Sequence, residues 1–268
     1  SLHFPAYNTL LDRSESSPIM RAAIEDSGTA AVETVAGLRE ADWIISAVTA
    51  DQSLAAVKAV CPHLVQGQVL FDINSVSPER KRECAALIEA AGAAYLDMAV
   101  MAPVHPRGHA TPVFVAGGSA DETSSDLARL GFDYRVVSAE AGAATAIKMV
   151  RSLFVKGLEA ITVETLLAAK ASGCFDDILA SISASYPGLG WPETASYAFE
   201  RTLRHGKRRA AEMRESAATL QELGLRGALA TEIAAVQERM GTIGKPEAAN
   251  QSLPDLADAV LRARLKAG

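Results

Sequence analysis

A chain of 268 residues with 49% hydrophobic and 22% charged side chains has the balance of a globular protein, long enough for one large domain or two ordinary ones. The net charge of −6 argues against a nucleic-acid partner, and no apolar run approaches the length that spans a bilayer. Three widely spaced cysteines, Cys61, Cys84 and Cys174, argue against a disulfide framework or a metal site and suit a reducing compartment, the cytoplasm.

Residues 3–8 read as a short strand already under way, followed by a loop at 14–17 and a helix over 19–26 ending at Gly28. A small strand is expected at 30–33 and a helical turn at 36–39. Residues 42–49, Asp-Trp-Ile-Ile-Ser-Ala-Val-Thr, form the continuous apolar run of a strand buried on both faces. A helix follows over 51–59, with Asp51 favouring its first turn. A second buried strand at 68–73 turns through Asn74-Ser-Val-Ser-Pro78 into a helix over 79–91, with Ser77 as cap and Pro78 in the first turn. Strands at 94–98 and 111–116, a helix over 121–130 and a strand at 134–137 continue the alternation. Strands alternating with helices at this spacing imply βαβ units and a mostly parallel sheet. Beyond Gly142 only helical periods remain, broken at Gly173, Pro187-Gly188, Gly224 and 241–246. The chain thus divides into an α/β domain over 1–140 and an all-α domain over 141–268.

The helix at this junction is unusual. Ile147, Met149, Val150, Leu153, Phe154 and Val155 make it apolar on nearly every side, the pattern of a buried helix. Lys148 lies among them, and Arg151 and Ser152 follow three and four residues later on its side. Either Lys148 extends its ammonium to water along an apolar stem, or it is a general acid/base facing a cleft. Ligand sites favour domain interfaces and the carboxyl ends of parallel strands, and the position of Lys148 shifts the balance to the second reading.

An α/β domain of this kind usually announces a dinucleotide with Gly-x-Gly-x-x-Gly after its first strand, and the motif is absent here. Two accounts fit the pattern: the first strand, its glycine loop and its helix precede Ser1, or the domain never bound a dinucleotide. Three segments bear on that choice. Asp72-Ile-Asn-Ser-Val-Ser-Pro78, Asp97-Met-Ala-Val-Met-Ala-Pro103 and the helix from Gly142 to Ser152 lie in order along the chain. They resemble the Asp-Ser-Ser-Thr-Ile-x-Pro turn, the Asp-Ala-Pro-Val-Ser-Gly-Gly strand end and the Gly-x-x-x-x-x-Lys-x-x-x-Asn helix of the β-hydroxyacid dehydrogenases. That family includes the 3-hydroxyisobutyrate and 6-phosphogluconate dehydrogenases. Lys148-Met-Val-Arg-Ser152, Tyr186-Pro-Gly-Leu-Gly-Trp191 and His205-Gly-Lys-Arg-Arg209 are similar to a branch with a helical C-terminal domain of unknown function.

The resemblance implies a Rossmann-like α/β domain, incomplete at its N-terminus, that binds NADP or NAD. A helical domain would bind the small-molecule substrate and join two copies in a homodimer. The nicotinamide would lie along the strand ends near Val48, Thr49, Asn74 and Ser75, with Lys148 as acid/base for a small hydroxy acid or its carbonyl partner. Asn74 would hold substrate or nicotinamide, or else satisfy its own turn. At the end of the second Rossmann strand, Asn8 stands where an acid would select NAD; with Arg13 nearby, it favours NADP. Three departures limit the carry-over: the missing glycine loop, Met101-Ala102-Pro103 in place of Ser-Gly-Gly, and Ser152 in place of asparagine. Proline has no N–H for a substrate carboxylate, so the substrate contacts near Met101 and Ser152 differ from the family's.

Other residues could replace those contacts. His105, Arg107 and His109 occupy a Pro/Gly-rich loop that either closes over the cleft or is merely solvated. A basic helix expected over 199–223 offers Lys207 or His205 as a second substrate contact, against the alternative of a solvated face. Two rival functions are carried forward: a non-catalytic NAD(P)-binding regulatory protein, and an imine reductase on the same fold.

Overall fold

The computed structural model of the chain describes residues 4–244 and 252–267. The expected strand start at His3 and the helix break at 245–246 lie outside these residues. The chain forms two compact units, Ser1–Lys148 and Met149–Gly268.

The first unit alternates strands and helices as the apolar runs require. A short strand β1 (Pro5–Ala6), helix α1 (Ser17–Asp26) and strand β2 (Ala30–Ala31) come first, and β1 and β2 pair in parallel as a two-stranded sheet. Next come β3 (Trp43–Ser46), α2 (Ser53–Val60), β4 (Val69–Asp72), α3 (Pro78–Ala90) and β5 (Ala94–Val100). Strand β6 (Val113–Ala116), helix α4 (Ala120–Arg129) and strand β7 (Tyr134–Ser138) complete the unit before the long helix α5 (Ala143–Ala171) begins. Strands β3 to β7 form one sheet in that order, parallel throughout except for an antiparallel β5–β6 pair.

Successive strand residues point to opposite faces, and both faces are covered. Leu70 and Tyr95 pack on one side with Val57, Cys84 and Ile88; Phe71 and Leu96 pack on the other with Val115 and Leu127. The strand expected at 42–49 ends at Ser46, so Val48 and Thr49 lie in an exposed loop at its carboxyl end. Ser77 caps α3 as expected, accepting a hydrogen bond from the Arg80 backbone N–H at 3.3 Å.

The second unit is helical throughout its described residues. It contains α5 from Met149 onward, α6 (Phe175–Ser185), α7 (Glu193–Glu222), α8 (Ala228–Ile243) and α9 (Leu253–Ala267). Val163, Leu166, Phe175, Phe199, Met240 and Val260 belong to its main core. Helices α7 and α8 cross at two glycines. A Cβ on Gly206 would stand 2.1 Å from the Gln237 carbonyl oxygen and 2.6 Å from the Gly241 nitrogen, so the crossing admits no side chain there.

One expectation about α5 is corrected. The helix is not buried on all sides: Ile147, Val150, Phe154 and Ile161 are 38%, 50%, 72% and 64% exposed, while the polar residues Ser152, Lys156 and Glu159 are buried. The physical reason is that these polar groups satisfy one another and their helix neighbours inside the unit, which removes most of the cost of burying them.

Candidate active site

In the first unit the carboxyl ends of β3, β4 and β5 lie side by side, with Ser46 beside Asp72 and Asp72 beside Asp97. Asn74 ties the loops that follow. Its Oδ1 accepts from the Val48 N–H at 2.6 Å and its Nδ2 donates to Ser46 Oγ at 2.9 Å. Asn74 is 4% exposed, so the amide serves largely to hold the Val48–Thr49 loop. Val48 and Asn74 are thus brought together, with Thr49 exposed beside them.

Beneath this loop lies a buried ionic group that sequence reasoning missed. The Lys81 ammonium, on α3, donates to the Asp72 carbonyl at 2.7 Å and lies 2.9 Å from Asp72 Oδ1 and 3.4 Å from Asp97 Oδ1. All three side chains are fully enclosed. Asp72 also accepts from the Asn74 N–H at 2.9 Å and the Tyr95 hydroxyl at 2.7 Å. Burial, reinforced by the adjacent Asp72 charge, pushes the Tyr95 hydroxyl up and keeps it a donor. Burial also pushes the Asp97 carboxyl up; Lys81 and the Thr145 N–H pull the other way, and Asp72 adds to the rise. The signal for Lys81 is present in the sequence: it shares a helix face with Cys84, Ala85 and Ile88, all buried, while Glu79, Arg82 and Glu83 face water.

The same carboxylate receives the start of α5. Asp97 Oδ2 accepts the Thr145 N–H at 2.9 Å, and the Thr145 hydroxyl donates to the Val76 carbonyl at 3.2 Å. Gly142, at φ +93°, lies so close to the turn after β4 that a Cβ would stand 2.8 Å from the Pro78 oxygen. Lys148 follows three residues after Thr145 and is half-buried. Met101 packs with Ala99, Ala116 and Ala144, and its N–H donates to the Pro112 carbonyl at 2.9 Å. That backbone group is engaged within the sheet.

The remaining expected residues are placed elsewhere. Asn8 is exposed after β1 and caps a short 3-10 turn, accepting from the Leu10 N–H at 3.0 Å. Leu10, Asp12, Arg13, Ser14, Glu15 and Ser16 line a shallow cleft of ≈ 430 Å³ beside it. In the loop after Met101, the His109 ring stands edge-on to Phe132 at 5.6 Å, and Thr111 closes the loop through the Val104 and Gly108 carbonyls. In the second unit Ser152 is buried and accepts from the Lys156 ammonium at 3.0 Å, while Lys207 is exposed on α7. His205 stands near Arg201, Arg204 and Arg208; desolvation and then these charges hold its imidazole below the usual range.

Comparison with known proteins gives this arrangement a lineage. Residues 8–128 match the NAD binding domain of 6-phosphogluconate dehydrogenase, and residues 169–240 match a domain of unknown function, DUF1932. An uncharacterized 28.5 kDa protein in the 7S RNA 5′ region of Methanothermus fervidus is 28% identical over 142 residues. The match spans 53% of this chain and 53% of that protein, about half its length. The crystal structure of a conserved hypothetical protein from Sinorhizobium meliloti is 30% identical, with 97% of this chain and 88% of that chain covered at a TM-score of 0.75. At lower identity the fold alone is shared. Mycobacterium tuberculosis 3-hydroxyisobutyrate dehydrogenase with L-serine is 16% identical, covering 91% of this chain and 88% of that one at a TM-score of 0.68. An imine reductase from Streptomyces aurantiacus is 19% identical, covering 99% and 90% at a TM-score of 0.51. The exposed strand-end loop, clamped by Asn74 over a rigid buried base, fits the NAD(P) for which such a domain is built. The chain accordingly belongs to the 6-phosphogluconate dehydrogenase-like β-hydroxyacid dehydrogenase family, with a Rossmann-like α/β unit followed by a helical one.

Proposed function

We propose that the protein is an NAD(P)-dependent oxidoreductase acting on a small hydroxy acid or the matching carbonyl compound, with Lys148 as general acid/base. The observation that carries this reading is the seating of the α5 start. Thr145 is bonded to Asp97 at the strand ends, Lys148 follows one turn on, and the Asn74-clamped loop belongs to the same unit. Bound there, the nicotinamide supplies the hydride chemistry. Val48 and Thr49 would flank the dinucleotide, Asn74 would fix their loop, and Asn8 with the Arg13 cleft would receive the adenosine end. An uncharged Asn8 and a nearby cation favour NADP over NAD.

The chain's own residues account for the proton. Lys148 would accept the hydroxyl proton in oxidation and donate it in reduction. Within the first unit, Met101 would replace the family's usual substrate contact with a bulkier group. The exposed Val150, Phe154 and Ile161 share one face of α5 and support association with a second copy. Three free cysteines are compatible with a cytoplasmic setting, and no described helix is long and apolar enough to cross a membrane.

The test is to titrate NADPH and NADH against the chain, then follow nicotinamide absorbance with panels of 3-hydroxy acids, carbonyl compounds and imines. Lys148→Ala is expected to lower turnover by about 10²–10⁴-fold while nucleotide binding is kept. Full turnover in that variant overturns the mechanism. Nucleotide binding without turnover on any panel favours the regulatory rival. Turnover confined to imines favours the reductase rival, which the shared fold with the Streptomyces enzyme supports.

A further inference from the structure

The proposed reaction makes no use of Lys81, yet this lysine lies between the strand-end loop and the start of α5. It has no exposed surface, and burying an ammonium with two carboxylates is costly. Apolar residues of similar volume often stabilise a fold as well as a buried ionic group does, so stability alone is a weak reason for it. Its partners suggest another. Asp72 bonds the Asn74 N–H and thereby the loop that holds Val48, while Asp97 bonds the Thr145 N–H. Thr145 is the third residue of α5, where a helix leaves its N–H groups without internal partners and where a carboxylate is favoured by the helix dipole.

We infer that Lys81 and Asp97 are positioning residues for Lys148: Lys81 fixes Asp97, Asp97 fixes the first turn of α5, and the Lys148 amine is placed one turn later. The inference rests on the reading of Lys148 as the acid/base. Three contacts define the seat: the Asp97 carboxylate, the Val76 carbonyl and the close approach of Gly142 to Pro78. Only the first carries charge, and only it continues through Lys81 to the loop side of the site.

Competitive acetylation of the full chain with acetic anhydride, quantified lysine by lysine by mass spectrometry across pH, tests this without any substrate. Asp97→Val keeps the side-chain volume and suits a strand but offers no acceptor to Thr145. It is expected to change Lys148 labelling at fixed pH by about threefold, the equivalent of half a pH unit, with the labelling of Lys58 and Lys170 unchanged. Asp97→Asn keeps an oxygen for the Thr145 N–H but turns its NH2 group to the Lys81 ammonium, so it is expected to restore the wild-type profile only in part, and full restoration would remove Lys81 from the inference. A Lys148 profile in folded Asp97→Val that overlays the wild type overturns the inference. Hydrogen exchange on the wild-type chain supplies a second measurement that needs no variant. The Thr145 amide should exchange as slowly as the core strands, and exchange at the rate of an exposed amide also overturns the inference. Turnover of Lys148→Ala separately decides the acid/base reading, so the two ideas fail by different results.

Discussion

Both units bury ions, and they do so in different ways. In the first, Lys81, Asp72 and Asp97 meet one another and are also bound to the main chain, through the Asp72 carbonyl and the N–H groups of Asn74 and Thr145. In the second, Lys156 meets Glu212 at 2.8 Å and Arg209 meets Glu159, side chain to side chain across helices. Gln237 adds donations to Glu159 and to the Lys156 carbonyl from α8. A group wired to backbone fixes where strand ends and a helix start must lie, which is what a reaction site needs. Pairs between side chains join helices that are already formed, and apolar contacts could do the same work.

The sharpest way to break this contrast is Lys81→Met. It leaves Asp72 and Asp97 enclosed without a cation, and removing one partner of a buried ionic group costs about 3–5 kcal/mol. The two tryptophans make the measurement local. Trp43 lies in the first unit, stacked obliquely on Phe71 at 4.6 Å, and Trp191 lies in the second. In a Trp191→Phe background, urea unfolding followed by Trp43 fluorescence should show the full loss. A loss below about 1 kcal/mol, the range of an exposed pair, would mean that the group does not organise the strand ends.

The degree to which these regions can be read from sequence also differs. The apolar runs around Ile44, Leu70 and Leu96 announce the central strands, and glycines and prolines mark the helix ends. The antiparallel β5–β6 pair is not legible, because strand direction is set by tertiary pairing and not by period. Lys81 escapes notice because Glu-Arg-Lys-Arg-Glu reads as a solvated run, although the spacing to Cys84 and Ile88 places it inward. In α5 the eye follows Val150 and Phe154, yet the inward face carries Ser152, Lys156 and Glu159. The partners of Lys156 and Glu159 on α7 and α8 lie 50 residues away or more, beyond any local pattern. Asp72, Asp97 and Lys148 are legible as motif positions, but that Asp97 holds the helix carrying Lys148 emerges only from the fold.

The units should also answer pH in opposite directions. Desolvation, with a smaller contribution from Arg209, lowers the Lys156 ammonium from its ordinary 10.5, against the attraction of Glu212 and Glu159. The folded state then holds fewer protons than the unfolded state between the lowered value and 10.5. Its contribution to stability is present above 10.5 and is lost as pH falls through the folded value. The unfolding free energy of the wild type minus that of Lys156→Gln should therefore rise with pH below 10.5, by at most about 1.4 kcal/mol per unit. Asp97, raised by burial, has the opposite sign: its contribution is present at low pH and is lost as pH rises through its folded value. A wild-type minus Lys156→Gln difference that is flat or falls with pH would remove the distinction.

The smallest expected effect is the most discriminating. Replacing Arg209 and Glu159 together, as Arg209→Met with Glu159→Leu, removes a buried pair whose side chains are 7% and 8% exposed. Neither residue supplies a charge to a backbone group in the described contacts, and their opposing effects on the Lys156 ammonium leave together with the pair and the Gln237 donation. Such exchanges for apolar residues are often neutral or favourable by about 1–4 kcal/mol, whereas Arg209→Met alone would strand the Glu159 carboxylate and cost about 3–5 kcal/mol. Unfolding followed by Trp191 in a Trp43→Phe background should place the double variant at or above wild type and the single variant well below it. If the double variant loses as much as Lys81→Met does in the first unit, the helical network constrains geometry as strictly as the strand-end group does. Lys156 and Glu212 would then have to be considered part of a working site, and not only of a helix interface.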